Sequence, residues 1–174
     1  MDRLPGEFEV ETMPHVRSLL RVARRLTGNP ASAEDLVQET MLAAWRGFHR
    51  LMPDSNTRAW LFRILVNSFH AQGRRLNARP VEVPIAEGAE TPAPRQADAT
   101  DAIEMGRALG ELSVEHRAVL LLGAVEGFTI YEISEILAVP AGTVMSRMSR
   151  AREALRARLG SGHKLTASAP KGSS

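Results

Sequence analysis

The chain has 174 residues with 22 basic and 20 acidic side chains, a formal charge of +2, and this length allows one medium-sized domain or two small ones. It has no cysteine, which excludes disulfide bonds and thiolate metal sites. The longest apolar run, residues 118–125, is too short to cross a bilayer, and the N-terminus lacks a secretory pattern, so we expect a soluble cytoplasmic protein without membrane insertion.

The basic residues, almost all arginine, are unevenly distributed. Residues 60–79 contain four arginines and no acid, whereas residues 80–104 contain six acids and a single arginine, Arg95. A local basic surface attracts phosphate groups whatever the net charge of the protein. Nucleic acid is therefore the first partner to consider.

The N-terminal part of the chain predicts a polar segment followed by a helix. Residues 1–12 are polar and mixed, and we expect them to be loosely held. Residues 13–27, opened by Pro14 and closed by Gly28, predict a first helix.

A second helix is predicted from a cap at Ser32, with Asp35 three residues later, to about Phe48. Its buried stripe is expected to comprise Leu36, Val37, Thr40, Met41, Ala44, Trp45 and Phe48. Its other side presents one leucine among polar residues: Asp35, Gln38, Glu39, Leu42 and Arg46. This side is either a docking patch or an ordinary surface with one exposed leucine, and the residues alone slightly favour the ordinary surface.

A turn-rich segment precedes a third helix, which should begin at Asn56 or Thr57 and continue to about Ala78. Its expected core side comprises Leu61, Ile64, Leu65, Ser68, Phe69 and Gln72. One exposed stripe, with Trp60 at its edge, is expected to comprise Arg63, Asn67, His70 and Arg74. Cations, an amide and an aromatic ring on one rigid face favour binding to a DNA strand with stacked bases. A merely solvated helix is the alternative.

The region after the third helix indicates a flexible linker and a second small domain. Residues 80–99 are rich in proline, alanine and acids without periodicity, as is typical of a linker. Residues 100–110 predict a short helix, and Ser113 begins an apolar segment that should pack on the following helices and leave some surface for another protein. Residues 161–174 have too little apolar area to fold and should be disordered.

Residues 128–159 predict two helices separated by a tight turn. Thr129 and Glu132 have the spacing of a capping box, and Pro140 suits the start of the second helix. The core stripe of that second helix should comprise Val144, Met148, Ala151, Leu155 and Leu159. The opposite face holds Gly142, Ser146, Ser149, Arg150 and Glu153, flanked by Arg147, Arg152 and Arg156. Short and arginine-rich side chains there are typical of a helix-turn-helix recognition helix, and a basic solvated face on a bundle is the alternative.

Catalytic signals are weak. The histidines lie without ligand spacing at His15, His49, His70, His116 and His163. The sequence contains no glycine-rich phosphate loop and no nucleophile motif. We therefore expect no enzyme activity, no metal and no cofactor.

Three segments, residues 32–48, 58–75 and 112–153, resemble in order and spacing the extracytoplasmic-function (ECF) RNA polymerase sigma factors of the sigma-70 family. The resemblance covers residues 13–79 and 100–159. It implies an all-α protein with four parts: a three-helix region 2 domain at 1–79, a flexible linker at 80–99, a region 4 helix-turn-helix domain at 100–160 and a disordered tail at 161–174. Its implied function is to bind core RNA polymerase and direct promoter-specific transcription initiation.

The resemblance also implies roles for individual residues. The β′ clamp helices of core polymerase would be bound by Asp35, Gln38, Glu39, Leu42 and Arg46. A flipped base of the minus-ten element would be captured near residues 53–57, and that element would be bound and melted by Asp54, Ser55, Asn56, Trp60, Arg63, Asn67, Arg74 and Arg75. The minus-thirty-five element would be read by Thr143, Ser146, Arg147, Ser149, Arg150 and Arg152. Residues 119–125 would meet the β flap, and an anti-sigma factor would be a further partner.

Two departures leave the promoter sequence open. Met145 stands where many relatives have lysine or arginine, and Ser149 stands where some have an aromatic residue. Two other functions also stay open: a sigma-like mimic that captures an anti-sigma factor without using DNA, and a stand-alone helix-turn-helix repressor. The mimic would not need the arginines of either exposed face, and the repressor would leave the first domain without a role.

Overall fold

The computed structural model describes residues 5–77 and 96–160, and within these ranges it contains helices and turns but no strand. The helices are α1 (Pro5–Thr12), α2 (Val16–Thr27), α3 (Pro30–Gly47), α4 (Thr57–Asn77), α5 (Gln96–Gly110), α6 (Val114–Leu120), α7 (Ile130–Leu137) and α8 (Ala141–Leu159). The chain divides into two compact units after residue 89; α1–α4 form the first unit and α5–α8 the second. The predicted all-α fold is confirmed.

The predicted linker and tail fall largely outside the described residues. Of the linker at 80–99, only residues 96–99 are described, and they belong to α5 rather than to an irregular segment. The predicted short helix at 100–110 is therefore the end of a longer one. The tail at 161–174 lies entirely outside the described ranges.

The core of the first unit lies between α2, α3 and α4, which pack against one another. Its fully buried side chains include Leu19, Leu36, Leu61, Phe62 and Leu65. Val66 is also buried, whereas Ile64, Ser68, Phe69 and Gln72 are only half-buried. The buried side of α4 is thus rotated toward Phe62 and Val66, which the predicted stripe did not include.

Residues 5–12 form a packed helix, so the prediction of a loosely held segment is wrong for them. Phe8 is buried, and its ring meets those of Trp45 and Phe48 edge-on at centroid distances of 5.0 and 5.2 Å. Thr12 is also buried and donates a hydrogen bond to the Phe8 carbonyl oxygen over 2.7 Å. Over residues 5–77, the first unit consequently has four α-helices instead of three.

The start of α3 also differs from the prediction. Asn29, not Ser32, is the cap: its side-chain oxygen accepts a hydrogen bond from the Ser32 N–H over 3.0 Å. Pro30 then occupies the first position of the helix, where a missing N–H costs nothing. At α4, the cap is Asn56, one of the two predicted candidates, whose side-chain oxygen accepts from the Ala59 N–H over 3.0 Å.

In the second unit, α8 packs against α5, α6 and α7. The predicted capping box is present, since the Glu132 carboxylate accepts from the Thr129 N–H over 2.8 Å and the Thr129 hydroxyl oxygen accepts from the Glu132 N–H over 3.2 Å. Of the predicted core stripe of α8, Val144, Met148, Ala151 and Leu155 are buried and Leu159 is half-buried.

The apolar run at residues 119–125 packs on the following helices, as predicted, and leaves a small exposed surface. Val119 and the three leucines after it are buried, and a π-helical turn at Leu121–Val125 follows α6. A Cβ atom on Gly123 would lie 2.7 Å from the Met148 methyl group, so this turn packs closely behind α8. Only Ala124 and Val125 of the run are exposed.

Arg117 caps the C-terminal end of α5 through its side chain. Its guanidinium donates to the carbonyl oxygens of Gly110 and Leu112 over 2.6 and 3.1 Å, and burial lowers the pKa of this group from its ordinary value. Carbonyls at a helix end have no partner within the helix, so this side chain supplies the donors that they lack.

We expect Arg117→Met, which keeps an apolar stem but removes the donors, to lower the free energy of unfolding of the second unit by about 1–3 kcal/mol. Urea unfolding of the full chain measures the change. Arg107→Met is the matched control, because Arg107 is an exposed arginine on α5. An equal shift of the urea midpoint in both variants would contradict this role.

Candidate nucleic-acid interface

The buried stripe of α8 fixes which side chains the helix presents outward. Opposite that stripe lie short residues, of which Gly142, Ser146 and Ser149 are exposed. The Ser146 hydroxyl donates to the Thr143 carbonyl oxygen over 3.1 Å, so its proton is engaged within the helix while its oxygen can accept. Short side chains here would let the helix backbone come close to the floor of a major groove.

Longer side chains flank this row of short residues on both sides. At 100° per residue, Thr143, Arg147 and Arg150 lie along one edge, and Met145 and Arg152 lie along the other. Arg150, Arg152 and Met145 are exposed, whereas Thr143 and Arg147 are half-buried. Of the six residues predicted to read DNA from this helix, Thr143, Ser146, Ser149 and Arg150 face away from the buried stripe, whereas Arg147 and Arg152 lie at its two borders.

The cationic stripe predicted on α4 is largely present. Arg63, Asn67, Arg74 and Arg75 are exposed. His70 departs from the prediction: it is half-buried, and its Nε2 atom is buried without a hydrogen-bond partner in the part of the chain that the structure describes. Of the predicted stripe, Arg63, Asn67 and Arg74 are thus exposed and His70 is not.

The segment before α4 is held by short-range hydrogen bonds. The Ser55 N–H donates to the Met52 carbonyl oxygen over 3.0 Å, while Asp54 and Asn56 are exposed. The Asn56 side-chain oxygen caps α4, so this oxygen is already engaged as an acceptor. The half-buried Trp60 packs near Phe48, at a centroid distance of 6.5 Å, which leaves part of the indole accessible.

The predicted docking side of α3 is partly engaged by α4. Asp35, Gln38, Leu42 and Arg46 are exposed. Glu39 is half-buried, and its carboxylate accepts from the Gln72 amide over 2.7 Å and lies 3.9 Å from the Arg75 guanidinium. Glu39 therefore links α3 to α4 by a hydrogen bond, and it also offsets part of the positive charge of Arg75.

Trp45 is a candidate functional residue that the sequence prediction missed. It was assigned to the core, but it is 49% exposed and lies one helical turn from Leu42, which is 57% exposed. The two form an apolar pair within the polar side of α3. Trp45 lies one turn after Met41 on the predicted buried stripe, and Met41 itself is only half-buried. An exposed leucine with an aromatic residue three positions later was a usable signal.

Metal-binding clusters and membrane-spanning helices are both absent from the described residues. Residues 5–77 and 96–160 hold no group of three or more histidines and carboxylates that could bind a metal. No helix in those ranges is long and apolar enough to span a membrane. Burial, and secondarily the charge of Arg58, lowers the pKa of His15 from its ordinary value, which favours the neutral imidazole.

Comparison with known proteins gives matches for both units. Residues 13–79 match the family model of sigma-70 region 2, and residues 102–155 match that of sigma-70 region 4. The ECF RNA polymerase sigma factor SigM of Mycobacterium tuberculosis is 38% identical over 146 residues, which span 84% of this chain and 74% of SigM.

Two solved structures are also similar. The sigma factor RpoE from Bartonella quintana, solved in complex with the anti-sigma factor NepR, is 29% identical with a TM-score of 0.74, over 90% of this chain and 99% of RpoE. The anti-anti-sigma factor PhyR from the same organism, also solved with NepR, is 20% identical with a TM-score of 0.58, over 87% of this chain and 50% of PhyR. At that identity, the likeness to PhyR shows the fold alone.

Met145 is an exposed apolar side chain on the edge of the candidate recognition face, 56% exposed. A thioether cannot hydrogen-bond a base edge well, but it can pack against the C5-methyl group of thymine in the major groove. We expect it to favour thymine at one position of a bound site. Replacing that thymine by deoxyuridine should then weaken binding about fourfold, as expected for loss of one buried methyl group at about 0.8 kcal/mol.

The measurement is a competition between thymine- and deoxyuridine-containing duplexes, position by position, for the full chain and for Met145→Ala. The variant serves as the control, because it should bind both duplexes equally. Equal affinity of the unaltered chain for the two duplexes at every position would contradict the assignment.

Proposed function

The chain belongs to the extracytoplasmic-function sigma factors of the sigma-70 family, and we propose that it binds core RNA polymerase and directs it to specific promoters. Sigma factors are not enzymes, so RNA synthesis is left to the polymerase. We place this action in the cytoplasm, together with the polymerase. The observation that carries the proposal is that each of the two units exposes an arginine-rich helical face, α4 in one and α8 in the other.

The second unit is assigned to the minus-thirty-five element. The residues proposed to contact it are Thr143, Ser146, Arg147, Ser149, Arg150 and Arg152. Exposed arginines can bind guanine edges in a bidentate manner or contact phosphates, and the short serines allow the close approach that either contact needs. Arg150 and Arg152 have the greatest freedom to do so, because both are exposed and no ion pair holds them among residues 96–160.

The first unit is assigned to the minus-ten element and to melting. The residues proposed to act there are Asp54, Ser55, Asn56, Trp60, Arg63, Asn67, Arg74 and Arg75. Extrusion of a base costs a few kcal/mol of stacking and pairing. An aromatic surface and a row of cations offset that cost by binding the unpaired strand.

The exposed side of α3 is assigned to core polymerase, at the β′ clamp helices. Leu42 and Trp45 supply apolar area, and the charges of Asp35 and Arg46 beside them can fix the register of a helical partner. Contact with the β flap is assigned to the second unit. Because most of residues 119–125 is buried, only Ala124 and Val125 of that run can contribute.

An anti-sigma factor is a further proposed partner. The support is the likeness to RpoE, which was solved bound to the anti-sigma factor NepR. Such a partner would compete with polymerase if it covered Leu42 and Trp45. The exposed arginines Arg63, Arg74 and Arg150 disfavour a mimic that only captures anti-sigma factors, since such a mimic has no use for a cationic surface. The docking side of α3 likewise disfavours a stand-alone repressor.

Transcription in vitro tests the proposed function directly. We expect the full chain with core RNA polymerase to enrich a subset of templates from a promoter library randomised at both elements. Sequencing of the transcripts identifies that subset. Core polymerase alone is the control, and transcripts without enrichment at either element would contradict the proposal.

Asn67 and Arg150 should affect different steps at a promoter obtained in this way. Arg150→Ala is expected to weaken closed-complex formation by about 1–3 kcal/mol, in a manner that depends on one base pair of the upstream element. Asn67→Ala is expected to leave closed binding unchanged and to reduce opening, measured by permanganate reactivity of unpaired thymines. Each variant is the control for the other. Normal opening by the Asn67 variant, or an equal loss on all sequences for the Arg150 variant, would contradict the respective role.

A further inference from the structure

Helix α1 lies outside residues 13–79, the part of the first unit that matches region 2, and no role was predicted for it. Its inward side is nevertheless linked to both elements that we assign to strand capture. One contact reaches the end of the segment before α4, and the other reaches Trp60 through an intervening ring.

The first contact is a hydrogen bond between α1 and α4. The Thr57 hydroxyl donates to the Glu11 carboxylate over 2.9 Å, and both side chains are half-buried. Thr57 is the first residue of α4 and follows directly on the capping residue Asn56. A hydrogen bond to a charged carboxylate is stronger than one between neutral groups. Glu11 therefore fixes the point at which residues 53–57 join the helix.

The second contact is a chain of aromatic rings. Phe8 of α1 meets Phe48 edge-on at 5.2 Å, and Phe48 lies 6.5 Å from Trp60. Phe8 also meets Trp45 at 5.0 Å, so α1 adjoins the docking side of α3 as well. The same short helix is thus hydrogen-bonded to the start of α4 and packs on Phe48, the ring that lies next to Trp60.

We propose that Glu11 is a positioning residue for promoter opening: through Thr57, it holds residues 53–57 in the conformation that receives the unpaired base. This inference rests on the proposed function. A segment that is ordered before DNA arrives loses its conformational freedom during folding rather than during capture. Loss of the hydrogen bond should therefore slow opening while closed binding, which depends on the second unit, continues.

The experiment uses the full chain with core polymerase on a promoter selected from the library, at a temperature where every variant is folded by circular dichroism. The variants are Glu11→Ala, Glu11→Gln, Thr57→Val and the double variant Glu11→Ala/Thr57→Val. Glu9→Ala is the matched control, because Glu9 is an exposed carboxylate on the same helix and its loss changes the net charge equally. Closed binding is measured by gel shift and opening by the time course of permanganate reactivity.

We expect Glu11→Ala and Thr57→Val each to slow opening about tenfold, the factor that corresponds to one hydrogen bond at about 1.4 kcal/mol. Glu11→Gln should open faster than Glu11→Ala but more slowly than the unaltered chain, since its amide oxygen can still accept from Thr57 in a weaker bond between neutral groups. The double variant should be no slower than Glu11→Ala alone, because Thr57→Val then removes a hydrogen bond that is already lost.

Four results would overturn the inference, provided that the unaltered chain melts the promoter. Three of them are equal opening by Glu11→Ala and Glu9→Ala, additive losses in the double variant, and a loss confined to closed binding. The fourth would show that the Glu11–Thr57 hydrogen bond only stabilises the fold: its loss lowers the thermal midpoint of unfolding but leaves the opening rate of the folded protein unchanged. If the unaltered chain melts no promoter, the proposed function itself fails.

Discussion

Burial of one apolar stripe per helix is the constraint on which the rest of this structure depends. A guanidinium group is costly to bury without partners, whereas each aliphatic side chain gains about 1.5–3 kcal/mol on full burial. Each helix is therefore rotated about its own axis until its apolar side faces inward. On α8, burial of Val144, Met148, Ala151 and Leu155 turns the serines and arginines outward. On α4, burial of Leu61, Phe62, Leu65 and Val66 does the same for Arg63, Asn67 and Arg74.

The capping interactions at the helix ends determine where the two arginine-rich faces begin and end along the chain. Asn56 begins α4 directly after the segment assigned to base capture, and the Thr129 capping box begins the helix-turn-helix. Ala138, with a φ of 53°, ends α7 in the left-handed region, which allows the chain to reverse before Pro140 begins α8. The core of each unit is modest, so contacts such as those of Phe8 and Glu11 matter more here than they would in a large domain.

The sequence predicted what local patterns determine. The capping box at Thr129 and the buried stripe of α8 rest on residues three or four positions apart, and both are confirmed. Errors arose where distant residues decide the outcome. Phe8 gave no helical pattern by itself, because its burial depends on Trp45 and Phe48. The half-exposed Trp45 was wrongly assigned to the core, because its exposure also depends on residues that are distant in the sequence. Residues 119–125 were expected both to pack on the following helices and to leave some surface, but their unbroken apolar run did not show that residues 119–122 would be the buried ones.

The central claim is that both arginine-rich faces contact the same promoter in one complex, with each unit at its own element. The direct measurement is hydroxyl-radical cleavage of one promoter in complex with the full chain and core polymerase. The radicals are generated by a probe attached to α4 in one sample and to α8 in another. The account predicts cleavage near the minus-ten element from α4 and near the minus-thirty-five element from α8, on the same template. Cleavage from only one of the two helices, or from both at a single element, would contradict it.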